Sequence, residues 1–218
     1  MKKTSFIILH TLILATLAFA QERYVRPVDE AAQDPSFLAF RVKLIAAAER
    51  RDSAYILSIV DRNIKNGFGG SDGVANFRRG WKLPGRNSSF WKEFLPVIKN
   101  GGAFNDGVFM SPYTFSSWPN DIDGFEYDVI FGNNVNLRER PDLRSRVIAQ
   151  LSYNVVKIES QTVPKSGRSE YPDWRLVRTM GGLRGYVKKE YVRNHIDFRA
   201  GFEKKRGVWK MTFFLAGD

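Results

Sequence analysis

Cysteine is absent from the sequence, which removes disulfides, thiolate metal ligands and cysteine nucleophiles together. Histidine is almost as scarce. His10 and His195 are the two present, so zinc sites built on histidine spacing lack their ligands. A serine triad would have to use His195, which sits in a polar segment and is expected at the solvated surface, and no nucleophile elbow is expected. Long apolar runs are missing after the first twenty residues, and no later segment approaches the ~20 residues a bilayer span requires. The one early run, Phe6 to Phe19, follows Lys2 and Lys3 and ends in Ala18-Phe19-Ala20 before Gln21. These are the three regions of a secretory signal. Residues 1–20 are therefore expected to be a signal peptide, and the mature protein is expected to be exported, periplasmic or extracellular, with no membrane span once the signal is removed. No cysteine follows the signal to carry a lipid.

Without disulfides, stability has to come from packed apolar surface, for which 17 Phe, 8 Tyr and 5 Trp supply material. Charge is divided unevenly. Residues 21–126 hold 14 basic against 13 acidic side chains, whereas residues 127–218 hold 18 against 10. The field of the carboxyl-terminal part favours anionic partners. In an envelope these would be cell-wall carboxylates, lipid phosphates or acidic polysaccharide rather than nucleic acid.

Apolar spacing from residue 35 onward is helical. A first helix starting near Asp34-Pro35-Ser36 aligns Phe37, Phe40, Leu44 and Ala48. A second, capped by Asp52-Ser53, sets Ile56, Ile59, Val60 and Ile64 inward and stops at Gly67. The third runs from about Ser89 to Lys99 and buries Phe90 or Trp91 with Phe94, Leu95 and Ile98. Phe68 to Gly73 reads as a loop, followed by a short helix carrying Val74, Phe77 and Trp81; Val108-Phe109-Met110 reads as a strand. Gly69, Gly70 and Gly73 would let backbone amides approach an anion, but no Lys-Ser or Lys-Thr pair follows as in a phosphate loop, so a tight connection is preferred. Asp121, Asp123 and Gly124 are similar to the start of a calcium loop. Phe125 stands at its third ligand position, however, and no carboxylate at its twelfth, so a polar turn is expected and no metal. A carboxylate pair for glycan hydrolysis stays open, with Asp72, Glu93, Asp121 and Asp123 as members, because it needs only two acids at the right separation.

Past Tyr127 the period changes to two, with frequent turn signals. Asn134-Val135-Asn136-Leu137-Arg138 precedes Pro141; Val147-Ile148-Ala149-Gln150-Leu151 comes next, then Val156 and Ile158. Trp174, Val177, Gly182, Gly185-Tyr186-Val187 and Tyr191-Val192 complete the series. In this order the signals resemble the bacterial SH3 (SH3b) family over about 65 residues. The resemblance implies a small all-β barrel over residues 127–195. It also implies a recognition module, often associated with peptidoglycan or with peptide segments of partner proteins, and does not imply catalysis; no cofactor is expected. Asn154 stands where the family usually has glycine in a turn, and asparagine tolerates positive φ. Tyr186 stands where tryptophan is most frequent.

Alternation adds a physical reading. With Leu183, Gly185 and Val187 inward, Arg184, Tyr186 and Lys188 face out together; with Val135 and Leu137 inward, so do Asn136, Arg138 and Arg140. Rings to stack on and cations to pair with carboxylates suit a glycan or peptide bearing acidic groups. The candidate ligand-binding residues are Arg138, Tyr153, Tyr171, Trp174, Arg184, Tyr186 and Lys188, with Trp174 expected mainly in the core. No catalytic or metal-ligating residue is assigned.

Phe198 to Asp218 reads as a hairpin turning at Lys204-Lys205-Arg206-Gly207, with Trp209, Met211, Phe213 and Leu215 sharing one face. So continuous an apolar face has to be covered, and residues 196–218 are expected to return to residues 21–126. The expected protein is α+β: an N-terminal helical region packed on a small antiparallel sheet, a C-terminal SH3-like barrel, and a final β-hairpin. Its partner would be peptidoglycan or another anionic envelope polymer, or an envelope protein recognised by an adaptor.

Overall fold

The Asp34 carboxylate accepts from Ser36 N and Phe37 N, Pro35 takes the first helical position, and α1 follows over Pro35–Glu49. The structure is a computed structural model and describes residues 21–159 and 172–218. Phe37, Leu44 and Ala48 of α1 are fully buried. Helix α2, Ser53–Ile59, is capped by Asp52 onto Tyr55 N. It ends earlier than its spacing suggests, because Val60–Lys65 is strand β1. Val60 and Ile64 are buried as expected, but residues four apart share a side in a strand as well as in a helix, so that spacing does not separate the two.

Helices α3 (Val74–Gly80) and α4 (Phe90–Lys99), strands β2 (Ala103–Asn105) and β3 (Val108–Ser111), and the short α5 (Tyr113–Ser116) come next. The chain then builds β4 (Asp128–Ile130), β5 (Val135–Arg138), β6 (Val147–Leu151), β7 (Val155–Ile158), β8 (Trp174–Thr179), β9 (Arg184–Lys188) and β10 (Val192–Arg193). Strands β11 (Arg199–Lys205) and β12 (Val208–Leu215) close the sequence.

Two sheets result, in the orders β1-β12-β11-β3-β2 and β10-β4-β7-β8-β9-β5-β6. Every ladder is antiparallel except β1 with β12. The protein is thus mixed α and β, with five α-helices among the described residues and two largely antiparallel sheets. In the second sheet, β10 and β6 are the two ends, and no ladder joins them among the described residues. The expected closed barrel is therefore, by its pairing, an open seven-stranded ladder. Strand β10 has only two residues, and the chain leaves it at Asn194 toward β11, which limits pairing at that end.

Arg206 and Gly207 take positive φ, 50° and 81°, as a two-residue hairpin turn requires. The hairpin occupies the middle of the first sheet, β12 beside β1 and β11 beside β3. Its single apolar face is broken by a bulge. Pairing passes from Phe202 with Met211 to Gly201 with Phe213, leaving Thr212 as the extra residue. Trp209, Met211 and Phe214 enter the core, whereas Phe213 lies over Gly201, where a Cβ would stand 2.0 Å from its ring.

The helices and the first sheet enclose one large core that includes Phe37, Phe77, Phe90, Phe94, Phe109, Phe202 and Phe214. A smaller one, Ile130, Val135, Leu137, Leu151, Val156, Val177 and Val187, lines the inner side of the second sheet. Between them Val25, Tyr113, Ile122, Val129 and Val155 form a seam. There the Arg193 guanidinium lies 5.2 Å from the Phe131 ring centroid and donates to Phe198 O.

Candidate functional site

Cross-strand register fixes which side chains of the second sheet stand together. Trp174 is opposite Lys188, Leu176 opposite Tyr186 and Arg178 opposite Arg184; Arg138 is opposite Tyr186. Directly opposed residues point to the same side. Trp174, Lys188, Tyr186, Arg138 and Arg184 therefore share a face, with Val177, Val187 and Leu137 buried on the other. Gly185 is needed on that inner side, since a Cβ there would lie 2.7 Å from Arg138 O and 2.9 Å from Leu137 Cγ. Leu183, expected inward, is 45% exposed; it precedes β9, in a turn that Thr179 Oγ1 holds by accepting from Leu183 N.

On this outer face lies a cleft of about 360 Å³ whose lining includes Asn133, Asn136, Arg138, Trp174, Lys188 and Tyr191. Lys188 Nζ is 4.9 Å from the Trp174 ring centroid, so a cation is held against an indole that is itself largely buried. Arg138 Nη1 donates to Ser145 O at 2.7 Å, and Ser145 Oγ accepts from Arg140 N at 2.9 Å. Together they brace the turn between β5 and β6. Asn136 Oδ1 accepts from Gln150 Nε2 at 3.2 Å. Among the described residues, Glu190 is the one carboxylate of the lining, against Arg138 and Lys188. The arrangement offers ring surface, amide donors and acceptors, and an excess of positive charge.

The seven candidates do not form one site. Arg138, Trp174 and Lys188 line the cleft. Tyr186, half-buried, stands in register beside them. Arg184 shares their face but is engaged elsewhere. Its Nε lies 2.5 Å from Glu159 Oε2, and Arg178 Nε lies 2.7 Å from Glu159 Oε1, an arrangement in which Arg184 above all holds the Glu159 carboxyl below the usual carboxylate range. Tyr153 belongs to the seam, its ring 6.3 Å from that of Tyr113 and edge-on to it. It also takes the positive φ, 61°, that was expected of Asn154. Asn154 instead bonds through its side chain, accepting from Ser152 N and donating to Glu22. Tyr171 lies outside the described residues.

Sequence reasoning missed Asn133 and Leu143, which reach the cleft from loops, and Glu190, which reaches it from the short 3-10 helix Lys189–Tyr191. His195, expected at the solvated surface, is half-buried. Its ring stacks 5.0 Å from Trp118 and presses on Gly124, where a Cβ would meet it at 2.0 Å. Burial pushes its pKa down.

Against the expectation that no nucleophile elbow is present, Gly69-Gly70-Ser71-Asp72-Gly73 has the Gly-x-Ser-x-Gly spacing of one. Here it lies in a loop in which Asn66 Nδ2 donates to Ser71 O, and His195 Nδ1 has no hydrogen-bond partner among the described residues. Of the acids considered for hydrolysis, Asp72 pairs with Lys65 and Asp121 with Arg23. Among the described residues no group of His, Asp and Glu side chains is arranged to hold a metal ion. No helix among them is long and apolar enough to cross a membrane. Neither the protein-family models nor the curated proteins contain a match to this chain.

Proposed function

We propose that this is a non-catalytic, exported binding protein of the cell envelope. Its seven-stranded sheet, an SH3-like module, would use the outer cleft to hold a cell-wall glycan or peptide or another anionic envelope polymer. The observation that carries this reading is the convergence of Trp174, Lys188, Arg138, Asn136 and Tyr191 around one cleft of about 360 Å³. The exposed Tyr191 ring can stack on sugar rings or flat amides, the buried Trp174 ring backs Lys188, asparagine side chains both donate and accept, and the cations pair with carboxylates. The SH3-like assignment is supported by the succession of short antiparallel strands across residues 128–193, with Trp174 on β8 and Gly185-Tyr186-Val187 on β9. The basic excess of residues 127–218 would draw such a polymer at long range.

Co-sedimentation of the purified protein with insoluble peptidoglycan tests the reading. Retention is expected to fall as ionic strength rises from about 0.05 to 0.5 M, because exposed cations are screened over about a Debye length. Replacing Lys188 and Tyr191 together by alanine is expected to weaken retention about ten-fold, on the order of 1.4 kcal/mol, with an unchanged circular dichroism spectrum. Retention that ignores both changes removes the cleft from the proposal. A wild-type protein that stays in the supernatant removes the wall as ligand, and capture of an envelope protein would then favour the adaptor reading. Soluble fragments released from the wall would instead mark a hydrolase.

A further inference from the structure

The most specific set of contacts on the molecule lies under residues 22–25. Strand β8 stops pairing with β7 at Thr179 opposite Val156, and an extended amino-terminal segment continues the row. Val25 N donates to Tyr153 O at 2.9 Å and Val155 N to Arg23 O at 2.8 Å, with Tyr24 opposite Asn154. Each side chain but one has its own receptor. The Glu22 carboxylate accepts from Thr179 Oγ1 at 2.5 Å and from Asn154 Nδ2 at 3.1 Å. It also packs so closely on Gly181 that a Cβ there would stand 2.3 Å from Oε1. Arg23 donates twice to Asp121, at 2.9 Å each, the bidentate geometry that matches guanidinium to carboxylate. Val25, 2% exposed, fills a socket with Tyr113, Ile122, Val129 and Val155; Tyr24 faces outward.

The segment is joined to the rest of the chain by Arg26 and Pro27, both exposed. The next anchors belong to the other sheet's surroundings: Gly102 N donates to Val28 O, and Glu30 N to Gly102 O. A plug of four residues and its dock are thus separated by a two-residue hinge.

We propose that this is a strand-docking site for an extended Glu-Arg-x-Val segment, filled in cis and exchangeable with the same segment of a second copy of the chain. The dock's contacts are identical whether the segment arrives from its own chain or from a copy. Exchange is then set by the hinge and by concentration, and not by new surface. Each copy carries one plug and one dock, so exchange that is reciprocal closes as a two-fold dimer, whereas head-to-tail exchange would run on from copy to copy.

The test uses the full chain throughout. A fluorescein-labelled peptide of residues 21–27 is titrated by anisotropy into the chain carrying Val25→Asp, whose own plug is disfavoured. Saturable binding is expected, about ten-fold weaker for a peptide carrying Glu22→Ala, and weaker again to the wild-type chain, whose own segment competes. A chain carrying Glu22→Ala with Arg23→Ala serves as a second host. Sedimentation of the wild-type chain from about 1 to 200 μM is expected to show a reversible monomer–dimer equilibrium. Oxidation at low concentration of a chain carrying Tyr24→Cys and Asn154→Cys is expected to abolish it, since this pair lies directly opposed across the ladder. Absence of peptide binding to a folded host, or unfolding of both hosts, would make the segment an integral strand and overturn the proposal. Peptide binding by a chain that stays monomeric at every concentration would overturn the second copy as occupant.

Discussion

The two sheets are stabilised by different materials. Around the helix-covered sheet the core is a lattice of rings: Phe37 alone meets Phe104, Phe109, Phe202 and Trp209 with centroids 4.2 to 6.0 Å apart, and Phe90 meets Phe94 and Phe214. The seven-stranded sheet has a core of Ile, Val and Leu without a ring. Its aromatic side chains Trp174 and Tyr191 line the outer cleft instead. Rings enclosed among rings act through buried area, whereas the exposed Tyr191 ring at the cleft retains a face for a ligand. On the proposed reading, the ring lattice serves structure and the outer cleft serves recognition; the charge divides differently, since Arg199, Lys204, Lys205, Arg206 and Lys210 of the basic carboxyl-terminal part belong to the hairpin in the first sheet.

The largest effect is expected where the ring lattice is cut. Phe37→Ala should cost about 3–5 kcal/mol in denaturant unfolding, and Leu137→Ala in the aliphatic core about 2–5 kcal/mol. Because the seam packs residues from both halves, each substitution is expected to shift one common transition. Two separated transitions, with each substitution moving only its own, would break the picture of halves that fold together. A smaller loss tests the junction between them. Gly124→Ala places a methyl group against the His195 ring, which Trp118 stacks against, and overpacking of this kind costs about 1–3 kcal/mol. Adding His195→Ala should recover part of that loss, as directly touching residues couple; strict additivity would show that the ring does not occupy this place.

The same imidazole gives the protein a pH dependence with a definite sign. Burial lowers its pKa and Arg199 acts with burial, while the Gly124 carbonyl, Asp123 and Asp218 pull the other way. The unfolded chain takes up its proton near the ordinary value of about 6.5, before the folded chain does. The histidine's contribution is therefore complete above that pH and is lost as pH falls through the folded pKa. Asp128 acts in the opposite sense: burial raises its pKa against the Asn194 hydrogen bond, with Asp197 raising it further and Arg175 opposing. Its contribution is present at low pH and is lost as pH rises through the elevated pKa. Urea midpoints of the wild-type protein should fall between about pH 7 and 5 more steeply than those of His195→Gln. Parallel curves would mean a solvated imidazole.

How far these elements were legible depends on whether a single period governed them. Most of the inward faces of α1 and α4 and the inner sides of β5 and β9 follow from spacing, although Phe40 and Leu95 are only partly buried while Arg41 and Val97, outside the expected faces, are buried. Spacing failed where two periods coincide, as at Val60 and Ile64, and where one extra residue shifts the phase, as at Thr212. In the candidate site, Arg138, Trp174 and Lys188 could be read because they alternate with buried neighbours. Asn133 and Leu143 sit in loops and Glu190 in a single 3-10 turn, too short for a period, so they become visible only when the chain is folded. The segment Glu22 to Val25 was invisible for a different reason. Its partners Asp121, Asn154 and Thr179 are about a hundred or more residues away, and its backbone pairs leave no pattern of polarity.

The smallest expected effect is the most discriminating within the basic face. Arg184 and Lys188 alternate on one strand and point the same way, so a sheet that attracts its ligand by charge alone would treat them alike. Their surroundings differ, because Glu159 engages the Arg184 guanidinium while Lys188 lies over Trp174 at the cleft. Exposed pairs of the Arg184 kind add little to stability, and a paired guanidinium has less left to offer a ligand. Arg184→Ala is expected to leave both the melting temperature and retention on peptidoglycan near wild type, whereas Lys188→Ala lowers retention alone. Glu159→Gln, which releases Arg178 and Arg184, should raise retention slightly at low salt and not at high salt. Equal losses for Arg184→Ala and Lys188→Ala would return the recognition to net charge, and the cleft would lose its claim as the place where the ligand is held.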